Sequence, residues 1–358
     1  MADGSYIHAD DFSSPQDGLS SRQEREKLIA GLEKFRSSTV RSAVQFAVTL
    51  TAYLATMTAM YLAFHLSIWL SMVLVLPAAG LVVRLFVIQH DCGHGAYFKS
   101  QRANEITGRL CSLVTFTPYA HWRRNHAKHH AAWNNLDKRD GGVDIYVTCL
   151  TVKEYSALSI IGRCFYRLSR HPIVTQLVIP PFVFLILFRT PFDTPKTWLK
   201  ERRSVLLTNL CLAALMGLLI ACLGWQAVLA VHLSVMVTAS IVGIWMFAVQ
   251  HRFEETEWLR DGEWNLARAA LKGTSYFKLP PILQWFTGNI GFHHVHHLLP
   301  RVPNYQLQAC HEILEMRSTQ IRTLTLGDAW RAPNFALWNE AQGRMVPFPA
   351  SRAPKSKA

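Results

Sequence analysis

Charge is missing where a soluble protein would need it. No Asp, Glu, Lys or Arg occurs from Ser42 to Val83, and none from Ser204 to Gln250. A membrane span takes about 20 apolar residues. Each run is therefore long enough for two crossings, turning near His65–Ser67 in the first and Gly224–Gln226 in the second. Acid is scarce as well, with 24 Asp and Glu against 37 Lys and Arg and a net charge of +13. No nucleic-acid recognition motif accompanies that excess, so no nucleic acid is expected, and anionic lipid headgroups are a sufficient partner. The seven cysteines show no CxxC spacing, which excludes a disulfide frame and predicts reduced, buried thiols. Residues 1–38 are polar without an apolar h-region, so no cleaved signal is expected.

Histidine is what the chain has in excess. His90-Asp-Cys-Gly-His94, His126-Ala-Lys-His129-His130 and His293-His-Val-His296-His297 repeat the i, i+3, i+4 spacing that places side chains on one helical face. A single such pair is commonly structural; three clusters together exceed what a core needs. Imidazole is the commonest metal ligand, and no one ion accepts eight. The grouping asks for at least two metals in one site. His251, at the end of the fourth charge-poor helix, emerges at the depth of His90 and is the ninth candidate.

In order, the chain reads as a cytoplasmic N-terminal arm (1–38), partly helical around Gln23–Phe35, and spans at about 42–64, 67–89, 204–224 and 227–250. Pro77 is expected to kink the second span, and Arg84 to reach for the interface. Ala103–Pro118 and Thr151–Leu168 are expected to lie on the membrane surface, the latter with an apolar stripe of Tyr155, Leu158, Ile161, Phe165 and Leu168. Pro172–Phe188 is uncharged but broken by Pro180-Pro181. A crossing there would part the third cluster from the others, so it is expected to enter and leave on the cytoplasmic side, broken at the prolines, or to pack as a surface helix pair. Lys and Arg crowd the segments outside the hairpin tips, which places both termini and all three clusters in the cytoplasm.

These residues resemble the three histidine boxes of the membrane fatty-acid desaturase superfamily. Leu136-Asp-Lys-Arg-Asp-Gly-Gly-Val-Asp144, Thr151-Val-Lys-Glu-Tyr155 and Gly291–Tyr305 are similar to the bacterial and plastid-type acyl-lipid desaturases, over roughly Gln89 to Leu307. The resemblance implies two Fe ions ligated by His90, His94, His126, His129, His130, His251, His293, His296 and His297, with O2 as co-substrate. An Asn that some relatives place one turn before the additional histidine is replaced by Phe247, and Asn289 is a substitute to consider. His121 and His294 lie outside the pattern. Asp91, Asp137, Asp140, Asp144, Glu254, Glu255 and Glu257 are candidates to hold the second ring N–H of the ligands.

The expectation is an all-α integral membrane protein with four transmembrane helices in two hairpins and a cytoplasmic histidine-rich di-metal cap. Residues 39–310 form the desaturase domain and 311–358 a cytoplasmic C-terminal segment. The implied reaction is a cis desaturation of a membrane-lipid acyl chain, most like Δ12/ω6. An alkyl or acyl hydroxylase of the same superfamily is the alternative, and a metal transporter the alternative from another class. The middles of the spans lack the Asp, Glu and Lys that transport would favour. With no His-Pro-Gly-Gly or flavin fingerprint, electrons are expected from a separate ferredoxin-type or other reductase partner.

Overall fold

The structure is a computed structural model that describes residues 26, 29–139, 146–317 and 321–349. Ser38 caps the first long helix by accepting from the Arg41 N–H, and α1 runs from Thr39 to Leu66. The chain turns at Ser67 into a short helix, α2 (Ile68–Val73), then into α3 (Val75–Gly93). The expected second span is thus two pieces broken at Leu74. Pro77 falls in the first turn of α3, where a missing N–H costs little, so it does not kink a continuous helix. Arg84 corrects a second expectation. It is 7% exposed rather than reaching outward; its Nε donates to Thr49 Oγ1 at 3.1 Å and its guanidinium lies 4.2 Å above the Trp285 ring.

Beyond α3 come α4 (Gln101–Thr115), capped by Ser100, and α5 (Tyr119–Ala132). They pack closely because Gly108 has no Cβ: one built there would sit 2.3 Å from the Tyr119 ring. The single helix expected over Thr151–Leu168 is two, α6 (Val152–Ala157) and α7 (Ile160–Ser169). A Thr151–Glu154 capping box starts α6, and Ser159 starts α7 by accepting from the Gly162 N–H. Of the predicted stripe Tyr155 is buried, whereas Ile161, Phe165 and Leu168 stand exposed.

Pro172–Phe188 holds a π-turn over Val174–Val178 and then α8 (Ile179–Leu185). Prolines 180 and 181 remove two N–H donors, and the segment is bent by 49° against α7. Ile179 and Val183 pack against the same core cluster as Ile244 and Phe247 of the last long helix. The chain then returns to α5: Trp198 lies under Arg124 and Lys128, and the Ala120 N–H donates to Ser204 Oγ at 3.1 Å. There α9 (Leu199–Leu223) starts, and Gly224, at φ 82°, turns it directly into α10 (Trp225–His251).

These four long helices, α1, α3, α9 and α10, are each long and apolar enough to cross a membrane. The inner one is α3, with 78% of its apolar window buried against 17% for α9. It packs through Leu81, Leu85 and Ile88 beside Tyr53, Met57 and Met60 of α1 and Val231 and Val235 of α10. Leu206, Leu210, Leu218 and Leu229 face outward. Cys164, Cys211 and Cys222 also face outward, so the expected burial holds only for Cys92, Cys111, Cys149 and Cys310; all seven are free thiols.

The remainder forms a cap of short elements: α11 (Leu266–Gly273), α12 (Pro281–Phe286), α13 (His293–Leu298), α14 (Leu307–Arg317) and α15 (Leu326–Ala329). Among the described residues, five short strands tie it together. β1 (Leu150–Thr151), β2 (Tyr276–Phe277), β3 (Thr323–Leu324), β4 (Leu337–Asn339) and β5 (Arg344–Val346) make a β1-β4-β5 sheet and a parallel β2-β3 pair. Leu150 pairs with Leu337 in parallel and Leu337 with Val346 antiparallel, so the C-terminal segment is woven into the cap.

Reporter fusions after Lys99 and after Arg189 should read the same side of the membrane, and fusions at His65 and Gly224 the other. Opposite readings at Lys99 and Arg189 would make Pro172–Phe188 a crossing.

Candidate metal centre

Four elements deliver the nine predicted histidines to one place. His90 lies in the last turn of α3 and His94 at its C-cap; His126, His129 and His130 come from α5, His251 from the end of α10, and His293, His296 and His297 from α13. Their ring nitrogens fall into two adjoining groups. His90, His94, His126, His130 and His296 form one, with ligand atoms within 4.8 Å of one another; His129, His251 and His297 form the other. His293 joins the second group through His251, Nε2 to Nε2 at 3.2 Å. The groups touch where His130 and His297 stack at 4.3 Å.

Helix geometry explains the split. At about 100° per residue, positions i and i+4 diverge by roughly 40° and i+3 swings about 60° the other way. His90 and His94 accordingly share a group, as do His126 and His130, and His293 and His297. The i+3 members, His129 and His296, each cross to the neighbouring group.

The chemistry of the donors fits metal ions. His251 Nδ1 lies 2.7 Å from the Phe247 carbonyl, which can only accept, so the proton sits on Nδ1 and Nε2 presents a bare lone pair. That lone pair faces the Nε2 atoms of His129 and His297, each at 3.1 Å. In the other group His296 Nε2 stands 3.0 Å from His90 and 2.9 Å from His130, and His94 Nε2 is buried without a hydrogen-bond partner among the described residues. Burial first, and repulsion between neighbouring rings second, push His94, His126, His130, His293, His296 and His297 well below the usual imidazole range. Buried neutral nitrogens aimed at one another need a shared cation to satisfy them.

Surrounding residues hold the rings. Asp91 Oδ1 is 3.1 Å from His90 Nδ1, and its Oδ2 accepts from the Asn304 N–H at 2.7 Å and Nδ2 at 2.9 Å. Of the acidic candidates, Asp91 alone among the described residues is seen on a site histidine. Asp137 pairs with Arg260, Glu254 with Arg344, Glu255 with Arg322 and Glu257 with Arg268. Asp140 and Asp144 lie outside the described residues. His121 faces Asp193 at 2.6 Å, and His294 pairs with His311 at 3.0 Å. Asn289 donates to the Asn304 carbonyl at 3.3 Å.

Two tryptophans escaped the reading of the sequence. Trp122 stacks on His126 at 4.6 Å and Trp133 meets His251 at 4.4 Å. Each lies four residues from a site histidine on the same helical face, which was a usable signal. Asn304 had none.

Residues 67–322 match the family described as fatty acid desaturase. The fatty acid desaturase of Bacillus subtilis is 42% identical over 290 residues, 81% of each chain. This chain belongs to the fatty acid desaturase family. As a desaturase it is a membrane-bound oxidoreductase, and its two histidine groups can hold metal. The chloroplastic omega-6 fatty acid desaturase of Arabidopsis thaliana is 26% identical over 275 residues, 72% of this chain and 54% of the plant protein. The sn-1 acyl-lipid omega-3 desaturase (ferredoxin) of Synechocystis is 26% identical over 268 residues, 71% of this chain and 67% of its own length. The desaturase thus spans about half the length of that plant relative.

Gly291 leads into α13 with no space for a side chain, since a Cβ there would lie 2.5 Å from the Phe277 backbone oxygen. Gly291→Ala should destabilise the desaturase by about 1–3 kcal/mol and lower its melting temperature, whereas Gly327→Ala, with only Thr325 Oγ1 nearby at 3.6 Å, should leave it near wild type. Equal melting curves would show that α13 is not locked where it is described.

Proposed function

We propose that this desaturase holds two iron ions and introduces a cis double bond into an acyl chain esterified in a membrane lipid, most like the Δ12/ω6 class. The observation that carries the reading is the pair of adjoining imidazole groups, whose ring nitrogens lie within 4.8 Å of one another in each group. His90, His94, His126, His130 and His296 would hold one ion and His129, His251, His293 and His297 the other. Iron is taken from the family, since imidazole also suits other metals. Two iron ions supply the reduction of O2 and the removal of hydrogen from unactivated methylenes: –CH2–CH2– + O2 + 2e⁻ + 2H⁺ gives –CH=CH– + 2H2O. The chain's own part is to bind, orient and exclude water. Asp91 and the Phe247 carbonyl fix two of the rings, and Trp122 and Trp133 close the site with apolar surface.

An aromatic series supports approach from the membrane. Phe188 meets Phe184 at 5.2 Å, Phe184 meets Phe86 at 6.1 Å, and Phe86 meets Trp122 at 5.3 Å, which stacks on His126. A saturated chain lying along these rings would reach the first group without meeting a charge. Lys and Arg around the spans support a cytoplasmic site and termini, and a basic face would steer an acidic ferredoxin-type donor. Residues 39–310 would form the working domain. The hydroxylase reading shares the ligand set; desaturation is preferred on the family. The transporter reading does not survive it.

The purified protein should carry two irons per chain. His129→Ala and His130→Ala should each cut the bound iron by about half or more, with loss of activity, and His294→Ala should keep it; each lost ligand typically costs several kcal/mol of metal affinity. A full iron load in His129→Ala would sink the shared site.

Gas chromatography of lipids tests the reaction, in a host that makes only saturated and monounsaturated chains. A new dienoic acid is expected. A new monoene would move the double bond away from the Δ12-like position, and hydroxylated chains would replace desaturation with the alternative.

A further inference from the structure

Away from the site histidines, one cavity is lined by Arg167, Arg170 and His171. It measures ≈ 570 Å³, and Arg167, Arg170, His171, Pro333, Asn334 and Phe348 are among its walls, none of which is Asp or Glu. Small-ligand sites run from roughly 300 to 1,000 Å³. Arg167 is fixed by neutral acceptors: Nε donates to the Tyr155 hydroxyl at 2.7 Å, Nη2 to the Pro349 carbonyl at 2.7 Å, and the guanidinium lies 5.0 Å from the Phe348 ring. These contacts hold its charge in place without cancelling it. Arg170, 8% exposed, lies 5.2 Å from the Tyr166 ring.

Behind the Pro333 wall stands a third guanidinium. Arg252 is 2% exposed and its Nη2 donates to the Pro333 carbonyl at 3.4 Å. Its Nε and Nη1 are buried with no hydrogen-bond partner among the described residues. Arg252 is not itself a wall of the cavity, and its charge adds to the positive field behind that wall.

Position argues for what carries that anion. The cavity opens where α7 ends, and α7 exposes Ile160, Ile161, Phe165 and Leu168; Ile173, Leu177 and Val178 continue the apolar face beyond it. Faces of this kind lie at the boundary between headgroups and acyl chains, so a cationic cavity beside one is at headgroup level. We propose that this cavity binds the phosphate group of a membrane phospholipid, with Arg167 and His171 at its mouth and Arg170 within. The planar guanidinium matches phosphate oxygens in a way a point charge does not. The inference rests on the reading of α7 as a lipid-facing helix and is independent of which reaction the metal centre performs.

Binding to the full-length protein in a non-ionic detergent tests it, with dihexanoyl phosphatidic acid, dihexanoylglycerol and inorganic phosphate as probes. Phosphatidic acid should bind saturably, and Arg167→Gln should weaken it by about tenfold or more, the worth of a charged hydrogen bond. Asn334→Asp, at an exposed position, should also weaken it by placing a like charge at the cavity. Dihexanoylglycerol should bind more weakly and respond to neither change. Unaltered phosphatidic acid affinity in both variants overturns the proposal. Inorganic phosphate binding as tightly as phosphatidic acid overturns the phospholipid assignment in favour of a free-anion site. Neither result bears on the lipid products, so failure here is separable from failure of the desaturation reading.

Discussion

Nine imidazoles gathered from four helices into one place are the constraint on which this structure turns. Ring nitrogens at about 3 Å from one another repel through their lone pairs and would each be better hydrated in water. Such a cluster is affordable only if a cation binds it and if rigid elements prevent it from opening. The second condition is visible in how the fold spends its packing. The inner helix α3 carries the first box, the end of α10 carries His251, and α5 and α13 close over them from the cap.

The supports are nonlocal and polar. Asp91 links His90 to Asn304, and Asn304 Oδ1 accepts from Gln45 Nε2 at 2.8 Å on α1. One hydrogen-bonded chain therefore runs from the metal centre across α3 to the first span. Arg84 does the same lower down, joining α1 through Thr49 to the helix that precedes the third box. Buried polar networks of this kind are costly unless fully satisfied, and where satisfied they fix a unique arrangement. Positioning ligands to the accuracy a metal pair requires is a use that justifies the cost.

Beside the cap, the exposed residues of α7, the bent α8 and the aromatic series from Phe188 to Trp122 put apolar surface on the approach to the histidines. The same region holds the cationic cavity at the end of α7. On the proposed readings, these features together would form one surface for a substrate that has both a headgroup and a chain.

What the sequence by itself determined is what depends on near neighbours along the chain. The charge-free runs dictated four long apolar helices, and i, i+4 spacing dictated which histidines of one box act together. Local signals also erred where one capping residue outweighed a periodic stripe, as Ser159 did in dividing Thr151–Leu168, and where tertiary partners claimed a charge, as Thr49 and Trp285 did for Arg84. The structure alone decided how the boxes combine: that His296 completes the group of the first two boxes, that His129 crosses to His251 and His297, and that Asn304 reaches Asp91 from 213 residues away. These pairings carry no local signature, because they are set by how separate helices pack and not by any spacing within one.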